Sequence, residues 1–329
     1  MGTAFRIGNI EIASRVLVAP MSGVTDLPFR RVLQRYRPGF VVSEMVAGRE
    51  LSQRHADTER RAAGQGEIEP LVVQLVGHDP EWMARGAARA EAMGAAVIDI
   101  NMGCPARKVT GALAGSGLMR DLDHAGRIIA AVVGATSRPV TLKMRLGWDE
   151  HSLNAPDLAR RAESLGVRFI TVHGRTRCAL YSGEADWKAV RDTAAATTLP
   201  VAVNGDIHDT ATARAALAES GACAVMVGRA LVGRPWDLAA IMRGLGETPG
   251  EPGLSRAAIA TAHFRDTLDT YGEARGVRTF RKHLAAYLDA ARAPDILRRE
   301  LMRSLHPAHI ADELEGALAA RYASAGLAA

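Results

Sequence analysis

Eight short β-rich runs, spaced a few tens of residues apart with alanine-rich stretches between them, most tightly constrain what this chain can fold into. They lie at 16–19, 40–42, 71–73, 97–100, 140–142, 169–172, 201–203 and 224–227. Repeated strand–helix units predict parallel strands with crossover helices. Eight such units is the count of a closed (β/α)8 TIM barrel, whereas an open doubly wound sheet usually has fewer. The runs begin plainly, after Arg15, Pro70, Pro139 and Pro200, and finish on functional side chains. At or just past the eight ends stand Met21, Glu44, Gln74, Asn101, Lys143, His173, Asn204 and Gly228. In a barrel those ends share one face, and that face carries the chemistry.

The fourth unit is the richest. Its apolar run stops at Asn101, and a turn-prone segment follows with Gly103, Cys104 and Pro105, then Gly111, Gly115 and Gly117. A thiol is thus expected on a loop past a strand end, with Arg107 and Lys108 near enough in sequence to lower its pKa or hold an anionic polymer. The last two units read as a phosphate grip. One ends in Asn204-Gly205-Asp206 and the other in Gly228-Arg229. Glycines admit backbone N–H groups to an anion and arginine forks onto phosphate oxygens, at the pair of strands where this fold usually binds phosphate.

At 329 residues and 48% hydrophobic, the chain can bury one large core and a smaller one. No apolar run reaches the length of a membrane span, and residues 1–15 carry charges and no secretory core. Cys104, Cys178 and Cys223 are widely separated, which argues against disulfides or a zinc site and for a reducing cytoplasm. A net charge of +5 permits a nucleic-acid partner, while 5% aromatic content argues against a single-strand binder built on stacking.

These features divide the chain into a barrel over 1–243, a Gly/Pro-rich linker over 244–253 and a helical tail over 254–329. In the tail, Phe264, Leu268 and Tyr271 mark a first helix. Val277, Phe280, Leu284, Tyr287, Leu288 and Ala291 form an apolar stripe on a second. Leu297, Leu301 and Leu305 mark a third helix, and Ile310, Leu314 and Leu318 a fourth. Arg275, Arg278 and Lys282 each precede a stripe residue by two positions, about 200° of helix rotation, and so fall on the opposite face. Between 275 and 303 eight basic residues (275, 278, 281, 282, 292, 298, 299, 303) face three acidic ones (289, 295, 300), the pattern of an RNA-contacting face or of a solvated one.

One thiol, one lysine, one histidine, two amides and a phosphate grip suit flavin mononucleotide (FMN) better than a metal, because His173 has no partner at ligand spacing. Lys143 is placed for the flavin N1/O2 edge, Gln74 for a polar ring edge, and Gly205, Gly228 and Arg229 for the phosphate. A cysteine–histidine nucleophilic pair stays open at this point. No G-x-G-x-x-G follows a strand in a dinucleotide-binding context, so nicotinamide is expected only as a visiting reductant.

Several stretches together resemble the tRNA-dihydrouridine synthases, specifically the bacterial B-type branch. They are APMSGVTDLPFR (19–30), SEMV (43–46), VQLVG (73–77), DINMGCPARKV (99–109), LAGSGLM (113–119), LKMRLGW (142–148), HGRTR (173–177), NGDI (204–207) and GRALVGRPW (228–236). The resemblance implies an FMN enzyme, reduced by NADPH, that converts uridines of tRNA to 5,6-dihydrouridine. It implies hydride delivery from flavin N5 to uracil C6 and a proton from Cys104 to C5. The flavin is then lined by Pro20, Met21, Ser22, Gln74, Lys143, His173, Asn204, Gly205, Asp206, Gly228 and Arg229. Asn101, Arg145 and Arg175 are candidates for uracil or RNA phosphate, and Arg278 and Lys282 for tRNA. A monomer with no obligate protein partner is expected. The alternative is an FMN barrel reducing a small pyrimidine or enone, for which a basic helical tail has no use.

Overall fold

The computed structural model describes residues 5–106, 109 and 113–325, with side chains described as far as residue 319. Arg107, Lys108 and Gly111, singled out beside Cys104, lie outside the described residues. An antiparallel hairpin, β1 (Phe5–Ile7) and β2 (Ile10–Ile12), opens the fold. The barrel strands follow: β3 (Val16–Val18), β4 (Val41–Val42), β5 (Val46–Ala47), β6 (Leu71–Val76), β7 (Val97–Met102), β8 (Val140–Arg145), β9 (Phe169–His173), β10 (Val201–Asn204) and β11 (Ala224–Val227). The sheet closes through β3, β4, β6, β7, β8, β9, β10 and β11, with every pairing parallel.

β5 continues β4 after an interruption. Val42 pairs with Val72 and Val46 with Leu75, so four steps on one strand face three on its neighbour. That extra residue is a bulge. It frees Glu44 to accept a hydrogen bond from the Gly23 backbone N–H.

Strand alternation decides where the chemistry goes. Odd-numbered positions of β9 read Phe169-Thr171-His173 and those of β8 read Thr141-Lys143-Arg145, while Ile170, Val172, Leu142 and Met144 join the outer core beneath the helices. The inner stripe thus runs from apolar at the bottom to polar at the top. Its base is closed by Leu17, Phe40, Val42, Val72, Val97 and Phe169, against which the hairpin packs Ile7 and Ile12. The hairpin was not read from the sequence, yet it plugs the end of the barrel away from the site.

After helix Asp237–Gly244 the chain does not run as a free tether. Glu247 is buried and accepts hydrogen bonds from Ser14 Oγ (2.5 Å) and the Arg15 N–H (2.7 Å), and the Gly250 N–H donates to the Tyr36 carbonyl (2.8 Å). Four helices follow: Arg256–Tyr271, Glu273–Ala291, Asp295–Leu301 and Pro307–Ala325. Phe264, Val277, Phe280, Leu284, Tyr287, Leu288, Leu301, Ile310, Leu314 and Leu318 form their common core. Leu305 does not belong to the third helix, which stops at Leu301, and its side chain is exposed. Among the described residues no helix is long and apolar enough to cross a membrane.

Candidate active site at the mouth of the barrel

A cavity of about 1380 Å³ opens at the C-terminal ends of the strands. Its wall includes Pro20, Met21, Ser22, Gln74, Asn101, Cys104, Lys143, Arg145, His173, Asn204, Gly205, Asp206, Gly228 and Arg229. Residues dispersed over more than two hundred positions of sequence therefore meet in one space, because register sets them side by side. Asn101 is level with Lys143, Lys143 with Thr171, Arg145 with His173, and His173 with Asn204.

Lys143 is the buried cation of the floor. Its Nζ donates to Asn204 Oδ1 at 2.9 Å, and the Asn204 amide donates onward to the Met226 carbonyl at 2.8 Å. Burial, reinforced by the Arg145 charge, pulls the Lys143 ammonium down to about 8, against the attraction of Asp99 and Cys104. Asp99 lies beneath, held by Thr141 Oγ1 and Gln74 Nε2, both at 2.6 Å. Its burial raises the carboxyl above the ordinary range, with those two hydrogen bonds and Lys143 working against the shift. Gln74 Oε1 in turn accepts from Asn101 Nδ2 at 2.7 Å. Asn101 Oδ1 then accepts the N–H groups of Gly103 (3.2 Å) and Cys104 (2.9 Å). A continuous chain of polar contacts thus runs from Thr141 through Asp99, Gln74 and Asn101 to the backbone of the thiol.

The Cys104 segment is also pinned from outside. Ser116 donates its hydroxyl (2.8 Å) and its N–H (3.1 Å) to the Cys104 carbonyl, and Arg145 Nε donates to the Gly103 carbonyl at 2.9 Å. Arg145 also holds the carbonyls of Thr176 (2.7 Å) and Leu180 (2.8 Å). Burial and nearby Arg175 bring its guanidinium down to about 10, so it remains a cation at neutral pH. The backbone at Gly103 and Cys104 is therefore held in place, with the cysteine side chain half-buried at the cavity wall.

His173 is held neutral, well below the usual imidazole range, by burial and then by the charges of Lys143, Arg145, Arg175 and Arg229. Gly205 beside it has φ of 118°, and a Cβ there would stand 2.7 Å from the Ala185 Cβ and 3.3 Å from His173 Nε2. Only glycine lets the chain pass the imidazole this closely. At the rim Arg229 reaches Asp206 (3.4 Å) and lies over the Tyr181 ring at 5.0 Å, which Arg145 meets at 5.5 Å.

The comparison with known proteins assigns this arrangement. The profile described as dihydrouridine synthase (Dus) matches residues 17–323. The chain belongs to the dihydrouridine synthase family. It is 49% identical over 308 residues to a probable tRNA-dihydrouridine synthase of Rhodobacter capsulatus, covering 92% of this chain and 94% of that one. It is 48% identical over 312 residues to one of Rhizobium leguminosarum, covering 94% and 96%. With the tRNA-dihydrouridine synthase B of Pseudomonas aeruginosa it shares 42% over 286 residues, covering 86% of each. The fold resembles a 6-hydroxypseudooxynicotine amine oxidase of Pseudomonas geniculata (TM-score 0.55, 13% identity, 74% of this chain) and a 2-naphthoyl-CoA reductase (TM-score 0.55, 11%, 71% of this chain). The chain spans about half the length of those two structures, 49% and 50%.

Within this member of the dihydrouridine synthase family, three of the expected site residues lie against other parts of the protein. Arg175 does not line the cavity. It is buried, forks onto Asp206 Oδ1 (3.0 Å) and Oδ2 (2.5 Å), and donates to the carbonyls of Ser182 (3.1 Å) and Gly183 (2.6 Å). Its donors are spent on protein. Asp206, correspondingly, is an arginine partner: burial would raise its carboxyl, but the bonds from Arg175 and Ala185 hold it low. Arg278 and Lys282 are both exposed on the tail, but Lys282 turns to the barrel, its Nζ 2.5 Å from where a Gly23 Cβ would stand. Two residues were missed. Asp99 was read as part of an apolar run, and its alternation with Val97 and Asn101 was the available signal. Tyr181, exposed between two arginines at the mouth, carries none in the sequence.

Proposed function

We propose that this chain reduces uridines of tRNA to 5,6-dihydrouridine, with FMN as resident cofactor and NADPH as transient reductant. The observation that carries the reading is the convergence of Cys104 and Lys143 on one cavity in a chain of this family. Its volume exceeds the roughly 300–1000 Å³ usual for a single small molecule, leaving room for a cofactor and an extruded base together.

The donor set fits a flavin nucleotide. Lys143 offers an ammonium at the floor, Gln74 an amide edge, and Pro20, Met21 and Ser22 a wall. Gly205, Gly228 and Arg229 are the phosphate side, where Asp206 and Arg175 orient the guanidinium. When bound, the flavin supplies the hydride that reaches uracil C6. The chain's own part is to protonate C5, so that one hydride and one proton saturate the C5–C6 bond. Cys104 is the acid, its loop fixed by Asn101, Ser116 and Arg145. Asn101 and Arg145 thus act on the substrate mainly by positioning the thiol. Neutral His173 accepts or donates one hydrogen bond without adding charge beside Lys143. Tyr181, exposed at the mouth, offers its ring to a base leaving its stack. Arg278 on the tail is assigned to the tRNA backbone.

The deciding experiment is anaerobic titration with NADPH and then unmodified tRNA, followed by flavin absorbance and dihydrouridine analysis. Bleaching by NADPH and recolouring by tRNA with dihydrouridine formed is the expected result. A protein bleached by NADPH but untouched by tRNA is a small-substrate reductase. One that stays colourless after FMN is added is no flavoenzyme.

A further inference from the structure

Behind the wall of the cavity lies a second cluster that plays no part in the chemistry above. Asp26 follows the Pro20–Thr25 segment and caps helix Leu27–Gln34 through the Phe29 N–H (3.2 Å). His263 comes from helix Arg256–Tyr271 and His283 from helix Glu273–Ala291. All three are buried, at 4%, 1% and 2% exposure, and their ligand atoms lie within 4.8 Å of one another. We propose that Asp26, His263 and His283 form a binding site for one divalent transition-metal ion of the zinc class, tying the active-site loop to the helical tail.

Unmet nitrogen valence is the first argument. Among the described residues, no group meets His263 Nε2 or either ring nitrogen of His283 in full hydrogen-bonding geometry. The Val24 backbone lies beside one His283 ring nitrogen as a weak acceptor, so at least one nitrogen of each imidazole is left open. Buried imidazole nitrogens left open in one cluster are a standing cost that a cation would remove.

Orientation is the second. The Nδ1 of His263 meets the Tyr287 hydroxyl at 3.2 Å. With the Tyr287 hydroxyl accepting from Nδ1–H, the Nε2 lone pair is left for the ion, the arrangement found at metal-ligating histidines. Buried imidazoles are held neutral, the form that ligates. Two imidazoles with one carboxylate select zinc-class ions over magnesium or calcium, and leave the fourth position for water.

The electrostatics tolerate the ion. Asp26 and Glu44 bring negative charge, while Arg30 and Lys282 oppose it from the same region. Ligand atoms around tetrahedral zinc stand about 3.4 Å apart, so binding would draw the widest pair together by no more than about 1.4 Å. Ring rotation supplies that movement, within an aromatic box in which Phe29 stacks on His263 at 5.2 Å and meets His283 at 4.7 Å.

The test uses full-length protein stripped by chelator and titrated with Zn²⁺ against a chromophoric competitor. The expected result is one tight ion per chain, with affinity at least tenfold weaker in His263→Gln and in His283→Gln. His124→Gln, which breaks the exposed His78–His124 pair (4.2 Å between rings), should leave it unchanged. No tight binding, or binding lost only in His124→Gln, overturns the proposal. Because the buried variants can unfold, the wild-type protein loaded with Co²⁺ gives a second reading, taken as a difference spectrum against metal-free protein. An intense four-coordinate visible band supports the site. Only the weak band of six-coordinate surface cobalt overturns it.

Discussion

Cys104 and Arg175 show how differently two residues of one loop face can be used. The thiol reaches the cavity, while its backbone is held by Asn101, Ser116 and Arg145. Cys104→Ala should therefore keep bound flavin and lose about 10²–10⁴ in turnover on tRNA, the range of a missing general acid. Single-turnover kinetics check this, and near-normal dihydrouridine formation would remove the thiol from that role. Arg175 is enclosed with Asp206, so Arg175→Ala should lower stability by up to about 3 kcal/mol, less than a fully buried pair because Asp206 keeps 28% side-chain exposure. Denaturant unfolding reads it. If stability stayed within about 0.5 kcal/mol and only the KM for tRNA rose, Arg175 would be a substrate contact after all. Lys143 gives a pH dependence. Its ammonium, brought to about 8 by burial, loses its proton as pH rises through that value, whereas an ordinary lysine holds it to 10.5. FMN affinity of the apoprotein should thus fall by about tenfold from pH 7 to pH 9, one charged hydrogen bond being worth about that much. Lys143→Met should bind weakly at both, and a wild-type profile flat across that range would argue against contact with the flavin.

At the scale of elements, the helix Glu273–Ala291 has two kinds of basic residue. Arg278 is exposed, whereas the Lys282 ammonium leans over Gly23, whose N–H is held by Glu44. Arg278→Glu should weaken tRNA binding at low salt about tenfold and leave flavin affinity alone. Lys282→Glu should do both, since it sets a carboxylate against Glu44 and the Pro20–Ser22 wall. Filter binding for tRNA and fluorescence for FMN separate the two, and identical behaviour of the variants would show that Lys282 does not act through the loop. The same helix shows what sequence could and could not reveal. Its apolar stripe, Val277 to Ala291, was legible because burial repeats with the helical period. The barrel strands were legible for the corresponding reason, but their ends were set too early. Gln74, Asn101, Lys143, His173 and Asn204 lie inside β6 to β10. Polar residues near a strand end look like loop, and only the closed barrel gives them an interior to face. The bulge at Ser43–Met45 and the hairpin at Phe5–Ile12 are two- and three-residue strands, too short for any periodicity to register. The fork of Arg175 onto Asp206 depends on two loops meeting, which nothing local in HGRTR or NGDI encodes.

Across the whole molecule, barrel and tail share side chains instead of merely touching. Trp236 packs against both the barrel core and the tail core, and its ring lies 6.1 Å from Tyr287. Phe29 of the barrel stacks on His263 of the tail, and Arg31 pairs with Asp266 at 2.5 Å. Ile259, on the first tail helix, belongs to the barrel core itself. The segment between them is pinned through Glu247 to Ser14 and Arg15. Opening the junction would expose these apolar groups and leave Glu247 without its partners, so neither half gains by separating first. Chains with two structural regions often unfold in two steps. Here calorimetry should instead give one transition, with far-UV ellipticity and flavin release changing together. Saturating FMN should move the whole transition upward, since a ligand at 100 times its Kd adds about 2.7 kcal/mol to whatever unfolds with its site. A tail that melts first, at a temperature indifferent to FMN, would show that the shared side chains do not couple the two regions. It would also detach the Gly23 loop, and with it the Pro20–Ser22 wall of the cavity, from the helix that carries Arg278.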